Sequence, residues 1–323
     1  MVTPSHQLSD ERSADVSRTD GDFASAFRRR RRRTRLTALL FGLGALVVVC
    51  FTLVFPIAYN VWLSLHRYNM AQPYLGRSFV GLDNYLVAFR SEFFWNSLRN
   101  TLIVTFGSLL VEVPVGYALA LALNRRLRGH RFFQFVFLLP LLLVPAVTAF
   151  MWRFLFQFDG VANYLLGLAH LGPFNWTSSS AGLFTIVVVV TWENTPFAMI
   201  VLLAGLQSIE PSLLDAAHVD GAHALQRFRY IVFPLMKPFL LIVLAIRTMD
   251  LLRVFDEGYV LTGGGPGRST ELLSQLVYTN SFTFFDIGKG SALSIIQTLI
   301  IVAFLVVYFV ILSPRGEHGR GRR

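Results

Sequence analysis

A single cysteine, Cys50, stands in 323 residues, which excludes an internal disulfide; its place inside an apolar run reads as an ordinary lipid- or helix-facing position. No cluster of His, Cys, Asp or Glu has metal-ligand spacing, and His218 and His223, five apart across a turn, read as surface residues. No Gly-x-x-x-x-Gly-Lys-[Ser/Thr] sequence occurs, so the chain has no phosphate-binding loop of that kind. The glycine-rich stretch Gly263 to Thr270 is interrupted by Pro266 and followed by no lysine, and it reads as a turn-forming loop. No nucleophile–base constellation is visible. No catalytic residue and no metal site is therefore assigned, and no cofactor is expected on this chain. The first 27 residues lack the apolar region and cleavage site of a secretory signal, and their Ser, Asp, Arg and Thr content points to disorder. Charge is also scarce, at 15% against about a quarter in soluble domains.

What fills the chain is hydrocarbon. It is 54% hydrophobic with 30 Phe, and its mean hydropathy is +0.54. The apolar residues fall in blocks of about 20 or more, the length that crosses a hydrocarbon core of ~30 Å. The expected fold is all-α and polytopic, with spans near Leu36–Leu65, Asn100–Leu123, Phe132–Phe156, Gly182–Leu206, Pro238–Thr262 and Ser291–Leu312. The net charge of +10 would suit nucleic acid in a soluble protein. Here most of it is arginine beside apolar blocks, which is the positive-inside signature, so membrane lipid and not nucleic acid is the expected surrounding.

The arginines set the topology. Arg28 to Arg33 and Arg35 precede the first span, Arg125, Arg126, Arg128 and Arg131 follow the second, and Arg315, Arg320, Arg322 and Arg323 end the chain. The intervening loops are neutral or mixed. Residues 1–35 thus form a basic cytoplasmic tail, 36–313 a six-helix membrane domain and 314–323 a second cytoplasmic tail. The connection 208–237 then lies in the cytoplasm.

That connection reads as a helix–turn–helix elbow. Pro211 suits the first turn of a helix, Asp220-Gly221 turns the chain, and a second short helix from Ala222 is expected to stop at Val232, before Pro234. Ala216 and Ala217 give it a small-residue surface that lets another backbone approach.

The intramembrane polar groups form a second set. Arg247, Asp250, Arg253, Asp256 and Glu257 fall at steps of three and four in the fifth span, so opposite charges should neighbour one another on one helix. They read either as a structural ion-pair ladder or as groups lining a polar path, with Asp250 nearest mid-span. In the fourth span Trp192-Glu193-Asn194-Thr195-Pro196 interrupts a valine run, and proline-broken helices often mark binding sites near the midplane. Glu112 and Arg153 are further intramembrane polar positions, with buried pairing the default.

Asp215-Ala216-Ala217, then Asp220-Gly221, Ile231 and Pro234 resemble the "EAA" signature of permease subunits in binding-protein-dependent ABC importers. Asp215 replaces the family's Glu, and Phe233 its Leu, with spacing intact. Phe255-Asp256, Val260-Leu261-Thr262-Gly263-Gly264-Gly265-Pro266-Gly267 and Phe285-Asp286-Ile287-Gly288 are similar to the carbohydrate branch, typified by the first permease of maltose and glycerol-phosphate importers. The resemblance covers about Leu36 to Leu312 and implies a type I ABC importer permease fold. It implies that Asp215, Ala216, Ala217, Asp220, Gly221, Ile231 and Pro234 couple to a separate ATPase. It further implies a place in a bacterial inner membrane, a second homologous permease, two ATPase domains holding ATP and Mg, and an extracytoplasmic sugar-binding protein. Trp192, Glu193, Asn194, Arg247, Asp250 and Asp256 become candidates for the substrate path, with a disaccharide such as trehalose or maltose ahead of polyols and glycerol phosphates. The competing expectation is a proton-coupled secondary transporter using the intramembrane carboxylates.

Overall fold

The computed structural model describes residues 42–124 and 129–312. The two expected tails, the start of the first span and Arg125, Arg126 and Arg128 lie outside the described residues. Gly42–Ser64 forms helix α1, with a π turn at Cys50–Val54. The apolar part of α1 buries none of its residues in this chain. A helix apolar all round and uncovered needs hydrocarbon or another chain about it.

After α1 a two-stranded antiparallel hairpin, β1 (His66–Arg67) and β2 (Ser78–Phe79), leads to helix α2 (Asp83–Arg90). Helix α3 runs Glu92–Asn124, starting two turns before the expected Asn100. The extra residues are helical because Phe94 and Ser97 are fully packed inward, and Glu92 suits the positive end of the helix dipole.

The third crossing is not one helix. It is α4 (His130–Leu138), a 3-10 turn at Pro140–Leu142, and α5 (Pro145–Leu155). The prolines cause the division: Val144, just before Pro145, is extended with ψ 128°, as the residue before a proline prefers. Among the described residues five helices are therefore long and apolar enough to cross a membrane, and the expected third span is a broken one. Helix α6 (Val161–Leu168) then leads to α7 (Gly182–Gln207), which passes through Pro196 without a break. The reading of a proline-broken fourth span is thereby corrected; the packed neighbours hold the helix straight through.

The elbow begins with α8 (Pro211–Val219). Its second leg does not stop before Pro234. One helix, α9, continues Ala224–Leu251, with a π turn at Phe228–Val232. The wider turn, closed by the Phe233 amide on the Phe228 carbonyl, makes room where the Pro234 ring would crowd a regular helix. Elbow and fifth span are thus a single lever of roughly 42 Å.

The fifth span ends earlier than expected, at Leu251. Gln297 Nε2 donates to the Leu252 carbonyl at 2.7 Å, and Ser274 Oγ donates to that of Val254, capping the helix end. A separate helix α10 (Asp256–Thr262) starts with Asp256 and Glu257 at its N-terminus, where acids are favoured. Helices α11 (Leu273–Tyr278) and α12 (Ile287–Leu312) complete the chain.

Helices α3 and α7 make the spine. Val104, Leu109, Ile186, Val189 and Val190 are buried together with Leu251, Leu261 and Leu272. Nearer the elbow, Ala120, Ala198, Leu202, Leu206, Ile209, Met236 and Val243 form a second cluster. A Cβ at Gly116 would lie 2.8 Å from the Ala198 Cβ and 3.0 Å from the Met199 nitrogen. Gly116→Val is expected to lower the thermal midpoint of the purified protein through an overpacking cost of about 1–3 kcal/mol. Gly167→Ala, where the new Cβ meets nothing within 4 Å, leaves it unchanged or slightly raised. Equal midpoints for the two variants would contradict this packing.

Candidate functional site

The elbow is built by local hydrogen bonds. The Ala222 amide reaches the Ala217 carbonyl at 2.9 Å and the Gly221 amide that of His218 at 3.1 Å, which is a Schellman closure. Gly221, with φ +77°, supplies the left-handed residue that such a closure needs. The second leg is opened by a capping box, in which the His223 amide donates to Gln226 Oε1 and the Gln226 amide to His223 Nδ1. Arg227 Nη1 donates to His218 Nδ1 at 2.9 Å, tying the two legs together; a guanidinium has no acceptor, so the histidine nitrogen must accept.

Ala217 is buried, whereas Asp215, Ala216, Asp220, Gly221 and Pro234 are exposed and Ile231 is half-buried. Leu214 and Val232 pack on the second core cluster and so hold the elbow in place. The opposite side presents large apolar groups: Val219 is 87% exposed, Tyr230 71% and Leu225 68%. Sequence reasoning missed these three. Their apolar character was legible, but not the direction in which they point. A cleft of about 370 Å³ beside them is lined by Asp220, Gly221, Ala222, Gln226, Arg227, Tyr230 and Ile231. These apolar side chains stand uncovered on a hydrogen-bonded bend.

Within the membrane, Arg247 is pinned by Glu112. Its Nε lies 2.9 Å from Glu112 Oε2 and its Nη2 3.0 Å from Oε1, a bidentate pair with side chains 3% and 0% exposed. Asp250 sits on the outer side of that pair, 3.4 Å from Arg247 Nη1 and 42% exposed. Arg253, Asp256 and Glu257 are not on this helix. The single-helix ladder expected for the five charges is therefore corrected to Arg247 with its flanking acid Asp250, Arg253 in the turn that follows, and Asp256 and Glu257 at a separate helix start. Arg153 donates instead to the Val260 carbonyl at 3.0 Å.

On α7, Glu193 is 3% exposed, and its Oε2 has no hydrogen-bond partner among the described residues. Thr191 Oγ1, Thr148 Oγ1 and Trp152 Nε1 share that condition. Arg247, Asp256 and Glu257 lie within electrostatic reach of Glu193. Asn194 is turned back onto the Val190 carbonyl at 3.0 Å. Trp192 meets Trp152 edge-on at 5.5 Å and faces the opposite way, into an apolar groove of about 1010 Å³ bounded by Val115, Pro140 and Leu143. The six candidate path residues therefore divide between two faces of α7 and the α9–α10 junction.

Comparison with known proteins now has a geometry to rest on. Residues 112–315 match the family described as "Binding-protein-dependent transport system inner membrane component". The chain is 38% identical over 271 residues to the trehalose/maltose transport system permease protein MalF of Thermococcus litoralis, covering 83% of this chain and 91% of that one. It is 35% identical over 286 residues to the trehalose transport system permease protein SugA of Mycobacterium tuberculosis, covering 88% and 91%. A permease chain from the crystal structure of a bacterial importer of alginate superposes with a TM-score of 0.73 at 23% identity, covering 87% of this chain and 96% of that one, so the fold is shared. With several apolar helices, one of them carrying a bend tied by local hydrogen bonds, this is a multi-pass membrane protein, and the chain belongs to the binding-protein-dependent transport system inner membrane components.

Proposed function

We propose that the chain is one half of the translocation path of an ATP-driven carbohydrate importer. Its elbow lies in the cytoplasm with both termini and docks on a partner ATPase that holds ATP and Mg. A second homologous permease completes the path, and an extracytoplasmic binding protein delivers the sugar. The observation that carries this reading is the lever. The elbow's exposed Val219, Leu225 and Tyr230 sit at one end of a rigid unit whose other end carries Arg247, locked to Glu112. Motion imposed at the elbow then reaches the membrane charges along one continuous helix.

Carbohydrate is favoured because relatives named for trehalose and maltose cover most of the chain. In this reading Asp250, Glu193 and Asp256 approach the path, and Arg247 acts as a positioning residue. Trp192 and Asn194, turned to the apolar groove and to the Val190 carbonyl, stand back from it. Uptake of trehalose and maltose into proteoliposomes holding the complete transporter tests it. Uptake is expected to require ATP and the binding protein and to be indifferent to a protonophore. Uptake that persists without ATP and collapses with the protonophore would instead mark a proton-coupled carrier.

A further inference from the structure

At the end of the spans opposite the elbow, a cleft of about 720 Å³ opens between the segment after α5 and the glycine-rich turn after α10. Its polar lining includes Arg153, Gln157, Asn175, Ser178, Tyr259 and Thr262. The geometry points to a carbohydrate subsite here, outside the membrane-spanning path, that takes a neutral sugar ring at the mouth; this rests on the carbohydrate reading above.

The first argument is rigidity. Asn163, 7% exposed, donates to the Phe158 carbonyl at 3.0 Å and the Phe174 carbonyl at 3.1 Å, and accepts from the Phe174 amide and the Trp176 indole, each at 3.0 Å. One buried amide thus clamps both ends of the wall that carries Gln157 and Asn175. A stack of Trp176 on Phe156 at 4.6 Å and an edge contact with Phe174 at 4.9 Å complete it. The facing wall is held as well: Arg153 bridges to the Val260 carbonyl, and Thr270 Oγ1 donates to Thr262 Oγ1 at 2.8 Å. Preorganised walls spare a ligand the ordering cost of binding.

The second argument is chemistry. The lining has amides, hydroxyls and one guanidinium but no carboxylate, so it offers donors and acceptors without selecting a cation. Tyr259, 47% exposed and stacked on Phe255 at 5.2 Å, gives a fixed aromatic face for the C–H side of a pyranose. The volume lies within the ~300–1,000 Å³ of small-molecule sites. The apolar groove beside Trp192 has none of these groups apart from that indole and the hydroxyls of Thr191 and Thr195.

The test uses the complete transporter with its partner subunits and binding protein in proteoliposomes, with trehalose and maltose as probes. The double variant Gln157→Ala with Asn175→Ala is expected to lower uptake at subsaturating sugar about five- to thirty-fold, the loss of two neutral hydrogen bonds. ATPase stimulation by loaded binding protein stays intact. Tyr259→Ala lowers uptake similarly and Tyr259→Phe restores it. A second measurement does not depend on loss of function. In a Cys50→Ser background, alkylation of Asn175→Cys is expected to slow at least three-fold in the transported sugar. Wild-type uptake in the double variant, unchanged alkylation, or a parallel loss of ATPase stimulation, which would make the cleft a protein dock, each overturns the subsite. A wild-type transporter that moves neither probe fails differently, and takes the carbohydrate reading down with it.

Discussion

Glu112→Ala is expected to destabilise the folded protein by about 3–5 kcal/mol, the cost of taking the bidentate carboxylate from a buried guanidinium that then keeps only its longer contact to the half-exposed Asp250. Arg247 is 3% exposed and Glu112 0% exposed, with both guanidinium–carboxylate contacts near 3 Å, so neither group has water to fall back on. Asp250 does not replace the lost partner. It lies 3.4 Å away at a different guanidinium nitrogen, with its side chain 42% exposed. A fall in thermal midpoint and in assembled protein after detergent extraction is the readout. The double variant Glu112→Leu with Arg247→Met is expected to recover most of the stability, because a well-packed apolar pair often matches a buried ion pair. Recovery of stability without recovery of uptake would separate the two roles of the pair. A Glu112→Ala protein as stable as wild type would show that Arg247 finds another partner.

The same pair has a mechanical consequence. Arg247 lies on α9 roughly 35 Å from the elbow's Ala224, and Glu112 belongs to the spine helix α3. The ion pair is where the lever is fastened to the rest of the membrane domain. Loosening it should weaken the link between elbow and path even in variants that fold.

How much of this was legible follows the range of the interactions. Pro211 at a helix start and Gly221 at a left-handed turn were readable because both act through their own backbone. Five of the six expected crossings were readable from apolar length, the third being broken at its prolines. Pro234 misled because its usual effect, ending a helix, was absorbed by a π turn upstream that no residue in the sequence announces. The charges of the fifth span misled for a different reason. Their i,i+3 spacing is local and gave one true neighbour, Arg247 with Asp250. Yet the closer and bidentate partner of Arg247 is Glu112, distant in sequence, and the helix ends at caps supplied by Gln297 and Ser274. Pairings of that kind exist only once the helices have packed. Asn163, which organises the outer cleft through four backbone and indole contacts, looked like any loop asparagine.

Gly221→Leu is the second large expected effect. Its Cβ would meet nothing within 4 Å in this chain, so the fold itself has room for it. The left-handed φ of +77° costs a side chain about 1–2 kcal/mol, small beside the stability of the membrane domain. The chief damage therefore falls on whatever seats against Asp220, Gly221 and Ala222, where a branched side chain would fill the contact. In the proposed importer that is the ATPase. Transport then fails while subunit folding and the ATPase's own hydrolysis persist.

The most direct measurement is the number of ATP molecules hydrolysed per sugar imported, taken in proteoliposomes with wild-type and Gly221→Leu transporters at equal incorporation. A ratio at least ten-fold higher in the variant, with hydrolysis retained, is the predicted result. An unchanged ratio with normal uptake would contradict the elbow as the point where this chain receives work.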